Sequence, residues 1–165
     1  MALTNPSRTG GRYGTAAGTG ALAALLLVAV CGSPAYVGWA AGTDPNSAGG
    51  WYLQLLSWPA WLFNGDGATG NLLVANLRAV LLVILAALFL YLLPTSQVAR
   101  VQGSGTQFFS GWAAYVLAGG FASLIAAFLG PEPSLLTAIQ AGGAGATYGF
   151  LSGWIIGVAS LGGRA

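Results

Sequence analysis

Histidine and lysine are absent from this 165-residue chain, and cysteine occurs once, as Cys31. Without histidine there is no His-ligated haem, no usual zinc or copper site and no imidazole acid–base chemistry. A single cysteine forms no intramolecular disulfide and holds no iron–sulfur cluster. Charge is scarce too. Arg8, Arg12, Arg78, Arg100 and Arg164 face Asp44, Asp66 and Glu132, so that charged residues make up 5% of the chain. A soluble domain carries about 25%, so this chain has too little charge to cover a water-facing surface. Its net charge of +2 is spread along the sequence, whereas nucleic-acid binding needs a clustered basic face.

Catalytic signatures are missing as well. There is no P-loop, no dinucleotide fingerprint and no Gly-x-Ser-x-Gly, and Gly103-Ser104-Gly105 lacks a strand–helix context. No Asp or Glu falls inside an apolar run, which removes the carboxylate relay of a proton pump. Catalysis by this chain alone is not expected, and neither a cofactor nor a metal is called for.

What is present is apolar: hydrophobic residues account for 56%. Residues 21–41, 72–93, 108–129 and 135–161 form four runs near or above the ~20 residues that cross a ~30 Å hydrocarbon core. The expected fold is therefore an all-α integral membrane protein, a bundle of four transmembrane helices. Residues 1–19 are glycine-rich and basic and are expected to be a disordered cytoplasmic tail, with the membrane domain covering 20–163. Pro34 lies within the first run, so a kink is expected near Gly32-Ser33. Pro94 should stop the second run, and Ser134 is placed to cap the fourth.

Residues 42–50 and 64–70 have turn chemistry. The apolar segment 51–63 between them is too short to span and reads as an interfacial or re-entrant helix, with Pro59 marking a break. Gln54, Ser57, Trp61 and Asn64 would share one stripe of that helix. Its aromatics, Trp51, Tyr52, Trp58, Trp61 and Phe63, are rings of the kind that collect at the headgroup level as an anchor; the alternatives are a docking surface for an extracytoplasmic partner or the wall of a lipid or quinone pocket.

The arginines set the expected topology. With four spans and the N-terminus inside, Arg8, Arg12, Arg100 and Arg164 are all cytoplasmic, and only Arg78 lies towards the outer side. A cleaved signal peptide is the rival reading, since Arg8 and Arg12 could form its n-region and Ser33-Pro34-Ala35 its cleavage site. A lipidated Cys31 is disfavoured by Val30, which stands where a lipobox needs a small residue. Arginine without lysine, amid abundant Ala and Gly, points to a GC-rich bacterial source.

Three residue sets stand out. In the fourth run Gly145, Gly149, Gly153 and Gly157 recur every four residues. Such a row brings backbones close where no hydrophobic effect drives helices together. Gly119 and Ser123 offer a matching stripe in the third run, and another chain or a solute path are the other readings. Arg78 is the one charge expected inside the bilayer, roughly 9 Å beyond the start of its run at 1.5 Å per residue. It either snorkels to headgroups or meets an anion: a lipid phosphate, a neighbouring chain's carboxylate, Asp66 or Glu132. Gln140, at similar depth, could join it.

The function expected from this inventory is a non-catalytic accessory or structural subunit of a larger bacterial membrane complex, in contact with the lipid bilayer and other membrane subunits. The alternative is a small homo-oligomeric channel or transporter, for which Gln140, Thr147, Tyr148 and Ser152 would make a thin polar lining.

Overall fold

A computed structural model describes residues 10–63, 69–96, 103–131 and 133–163. Among the described residues the chain is all helical, in six elements: α1 (Gly10–Cys31), α2 (Pro34–Ala41), α3 (Ala48–Leu56), α4 (Thr69–Ser96), α5 (Ser104–Phe128) and α6 (Leu135–Gly162). Three of these, α4, α5 and α6, are long and apolar enough to cross a membrane. The pair α1 and α2, bent by 64° between them, would add a fourth if it crosses as one unit. The four longest helices form a ring of neighbours in which α1 packs on α4, α4 on α5, α5 on α6 and α6 on α1.

The observed ends differ from the hydropathy limits for identifiable reasons. Helix α1 is already formed at Gly10, so residues 10–19 are helical where a disordered tail was expected; residues 1–9 lie outside the described part. Ala16 and Ala17 are buried, and Gly20 faces Ser160 and Leu90, with no room for a Cβ. Tertiary packing of a small-residue face, rather than hydrophobicity, extends this helix. Helix α4 runs through Pro94 to Ser96 instead of stopping. In a final turn a proline removes one hydrogen bond and need not end the helix. Helix α5 starts a turn earlier than its apolar run, behind Gly103 in extended conformation. Ser134 does hold the N-cap position of α6, but its side chain makes no capping bond.

The break between α1 and α2 falls at Gly32 and Ser33. Ser33 caps α2 by accepting from Tyr36 N at 3.2 Å, with Pro34 in the first turn. A Cβ on Gly32 would collide with the carbonyl oxygens of Pro59 and Val28, so the break doubles as a docking point for the segment after α3. Helix α3 begins at Ala48 behind a Ser47 cap and ends at Leu56. It is therefore too short to carry the stripe expected across Gln54, Ser57, Trp61 and Asn64. Ser57 instead turns back on Gln54 O at 2.6 Å, Trp61 lies beyond the helix, and Asn64 is outside the described residues.

The tightest seam joins α5 and α6. A Cβ on Gly145 would overlap Gly119 O and Ser123 Oγ; one on Gly149 would sit 2.7 Å from both Tyr115 O and Val116 Cα. Gly153 is closed by Trp112 and Gly157 by Phe108. The sequence-expected residues Gly119 and Ser123 thus meet the α6 glycine row within one chain. Ser123, Ser152 and Ser160 are buried, and each hydroxyl donates to the carbonyl four residues back, at 2.7–2.9 Å. With no hydrophobic gain from helix contact inside lipid, this closeness acts through dispersion.

Candidate polar site at Arg78

A chain of contacts that begins at Arg78 links four separate elements. Its Nη2 donates to Trp58 O at 2.9 Å, and its guanidinium carbon lies 4.1 Å from the centroid of the Trp58 ring. Trp58 in turn stacks on Tyr148, with centroids 4.7 Å apart and planes 20° from parallel. Tyr148 OH is 3.3 Å from Tyr115 OH, and both tyrosines are fully buried. Arg78 comes from α4, Trp58 from the segment after α3, Tyr115 from α5 and Tyr148 from α6. Tyr115 and Tyr148 sit near the midpoints of their helices, so the pile reaches into the middle of the bundle.

Backbone that is not helical needs partners when buried away from water, and this segment has them. Trp61 closes the broken end of α1, donating its backbone N–H to Gly32 O at 2.8 Å and its indole N–H to Val28 O at 3.1 Å. Asn76, two residues before Arg78, pairs both backbone groups of Leu62. Its amide donates to Leu62 O at 2.8 Å and its oxygen accepts from Leu62 N at 2.9 Å. Further out, Tyr52 OH accepts from Trp154 Nε1 at 2.9 Å, tying α3 to α6, and Tyr36 OH donates to Leu53 O at 3.1 Å, tying α2 to α3.

The aromatic cluster of 51–63 therefore divides. Tyr52, Trp58 and Trp61 turn inward to the contacts above, whereas Trp51 and Phe63 are exposed, Phe63 by 70%. Gln140 is exposed on α6, and nothing in the structure brings it to Arg78. Asp66 and Glu132, the chain's own candidate anions, lie outside the described residues. Within those residues Asp44 is the sole carboxylate, and it is engaged with Asn46 N at 2.9 Å.

The guanidinium is consequently held by one carbonyl and a π face. Its Nε is buried and has no hydrogen-bond partner among the described residues. A cation over a half-buried ring gains about 1 kcal/mol, and a hydrogen bond to a charged group about 1.5–3 kcal/mol. Chemically the arrangement can hold an anion or a dipole. It offers no nucleophile with an adjacent base, and no group of three or more His, Cys, Asp or Glu is placed to bind a metal among the described residues.

Tyr115 is the member of the site that sequence reading missed. A tyrosine within an apolar run resembles an interfacial anchor, and only the facing Tyr148 shows that its hydroxyl points inward.

Among the described residues, fold and site together define an α-helical protein with three helices of membrane-spanning length and a cationic–aromatic site that runs from the half-buried Arg78 and Trp58 to the buried Tyr148 and Tyr115. Comparison with known proteins finds no matching family model, no matching curated protein and no matching solved structure.

Proposed function

We propose that this chain is a non-catalytic subunit of a larger assembly in the cytoplasmic membrane of a bacterium. In this reading α1 and α2 cross as one bent span, giving four spans with both termini cytoplasmic, as the arginine distribution favours. The segment α3 to Phe63 dips part-way in from the outer side, since Trp58 stacks at the midpoint of α6. The observation carrying the reading is how the interior is spent. The α5–α6 seam is closed by backbone contact, and the buried serine hydroxyls each bond to their own helix, leaving no polar lane between the two best-packed helices. Large apolar side chains such as Leu73, Ile84, Leu88, Phe121, Phe150 and Val158 are left on the outside, for lipid and for other subunits. Affinity purification through a C-terminal tag in mild detergent tests it. Stoichiometric unlike chains are expected by mass spectrometry, and a clean lone chain or homo-oligomer rejects the reading.

One observation favours a second reading, a homo-oligomeric transporter. Non-helical backbone at 57–63 meets the α1–α2 break beside the half-buried Arg78, and interrupted helices near the membrane middle are how many transporters build solute sites. Solute flux by the purified chain alone in liposomes, abolished by Arg78→Ala, is what this reading expects.

A further inference from the structure

We infer that the Arg78–Trp58–Tyr148 pile binds an oxyanion, a phosphate or carboxylate group, through the guanidinium. The inference goes beyond the subunit reading and stands whichever of the two functions holds. Its starting point is direction. An arginine near a helix end within the bilayer ordinarily extends to the headgroups. Here the guanidinium lies against Trp58, whose ring is stacked on a tyrosine at the midpoint of α6.

The second point is the donor count. A guanidinium has five N–H donors; the Trp58 carbonyl accepts from Nη2, and Nε is buried without a partner among the described residues. No carboxylate among the described residues bonds to it. The side chain is half-buried, with Nε closed off from the surface; a partly desolvated cation gains from an anion beside it, and the planar fork matches oxyanions better than any other common group.

The third point is rigidity. Trp58 is held between Arg78 and Tyr148, Leu62 is pinned at both backbone groups by Asn76, and Trp61 is fastened to α1 at two points. The cation is therefore held in one place rather than on a loose side chain, and little ordering remains to be done when an anion arrives.

The same chemistry could come from a lipid headgroup or from a free solute. The test uses the full chain in detergent, with phosphatidylglycerol, diacylglycerol, sodium phosphate and sodium benzoate as separate probes. Native mass spectrometry and the shift in melting temperature report binding. The expected result is saturable binding of at least one oxyanion probe and none of diacylglycerol. Arg78→Gln should weaken that binding about tenfold or more. Binding of phosphatidylglycerol alone assigns a lipid headgroup, and binding of phosphate or benzoate assigns a free solute. Should Arg78→Gln fail to fold, Arg78→Lys carries the test, keeping the charge but losing the fork, with weakened binding expected. Saturable binding that is unchanged in the Arg78 variant overturns the inference. So does the absence of any binding, and an Asp66→Asn variant as unstable as Arg78→Gln would then identify the anion as the chain's own.

Discussion

Between α5 and α6 the contact is backbone against backbone, and glycine makes it by leaving its side chain out. Between α4 and the segment from Ser57 to Phe63 the contact is made by the largest side chains in the molecule, and irregular backbone is satisfied by indole, amide and guanidinium donors. The first seam is repetitive and demands only small residues at one spacing. The second is built from single residues with distinct tasks, none replaceable by another of its kind. A helix pair inside an apolar medium can thus be joined by removing atoms or by supplying hydrogen bonds, and the two seams should fail differently when altered.

The largest effect is expected at Gly145. Its Cβ position is already occupied by Gly119 O and Ser123 Oγ, so Gly145→Leu must push α5 and α6 apart along their length. Overpacking costs about 1–3 kcal/mol when one site can adjust. Here backbone must move, and a loss of about 3 kcal/mol or more is expected, read as a lowered melting temperature and a broadened elution profile in detergent. A variant as stable as the parent would mean the seam is not closed in solution.

Next comes Trp58→Ala, which takes the ring from between Arg78 and Tyr148 but keeps the carbonyl that accepts from Arg78. Losing a large aromatic costs about 3–5 kcal/mol in a closed core. Trp58 is only half-buried, so about 2–3 kcal/mol is expected, with increased protease cleavage within residues 57–63 as the local sign. Cleavage confined to the loops beyond that segment would contradict its docking on the bundle. Asn76→Ala, which removes both hydrogen bonds to the exposed backbone of Leu62, should cost about 1 kcal/mol or less and raise amide exchange at Leu62 before any global unfolding. Equal exchange in parent and variant would show that this pairing does not hold the segment.

How much of this could be read from sequence follows the same division. Three long apolar helices, a break at Gly32-Ser33 and the glycine row of α6 are periodic or compositional features, and such features survive without a partner being known. The early start of α1 was not legible, because Ala16 and Ala17 are buried and Gly20 is closed by Leu90 of α4 and Ser160 of α6, an ordering by tertiary packing rather than by their own hydrophobicity. Arg78 was conspicuous as a charge in an apolar run, yet its direction depends on Trp58, twenty residues earlier in a segment whose helix ends at Leu56. The pairing with Gln140 rested on depth alone, and depth does not determine which face of α6 a residue occupies.

Facing decides the smallest prediction. Gly143 and Gly145 stand two residues apart in α6, and composition does not distinguish them. A Cβ on Gly143 meets nothing within 4 Å, whereas one on Gly145 overlaps α5. A single turn of one helix therefore presents a glycine that closes a seam and one that merely faces outward. In a helix interior, alanine is favoured over glycine by about 0.5–1 kcal/mol, so Gly143→Ala should be neutral or slightly stabilising in the same melting assay in which Gly145→Leu is severe. A destabilised Gly143→Ala variant would place a neighbour against that face, one that no described residue of this chain supplies.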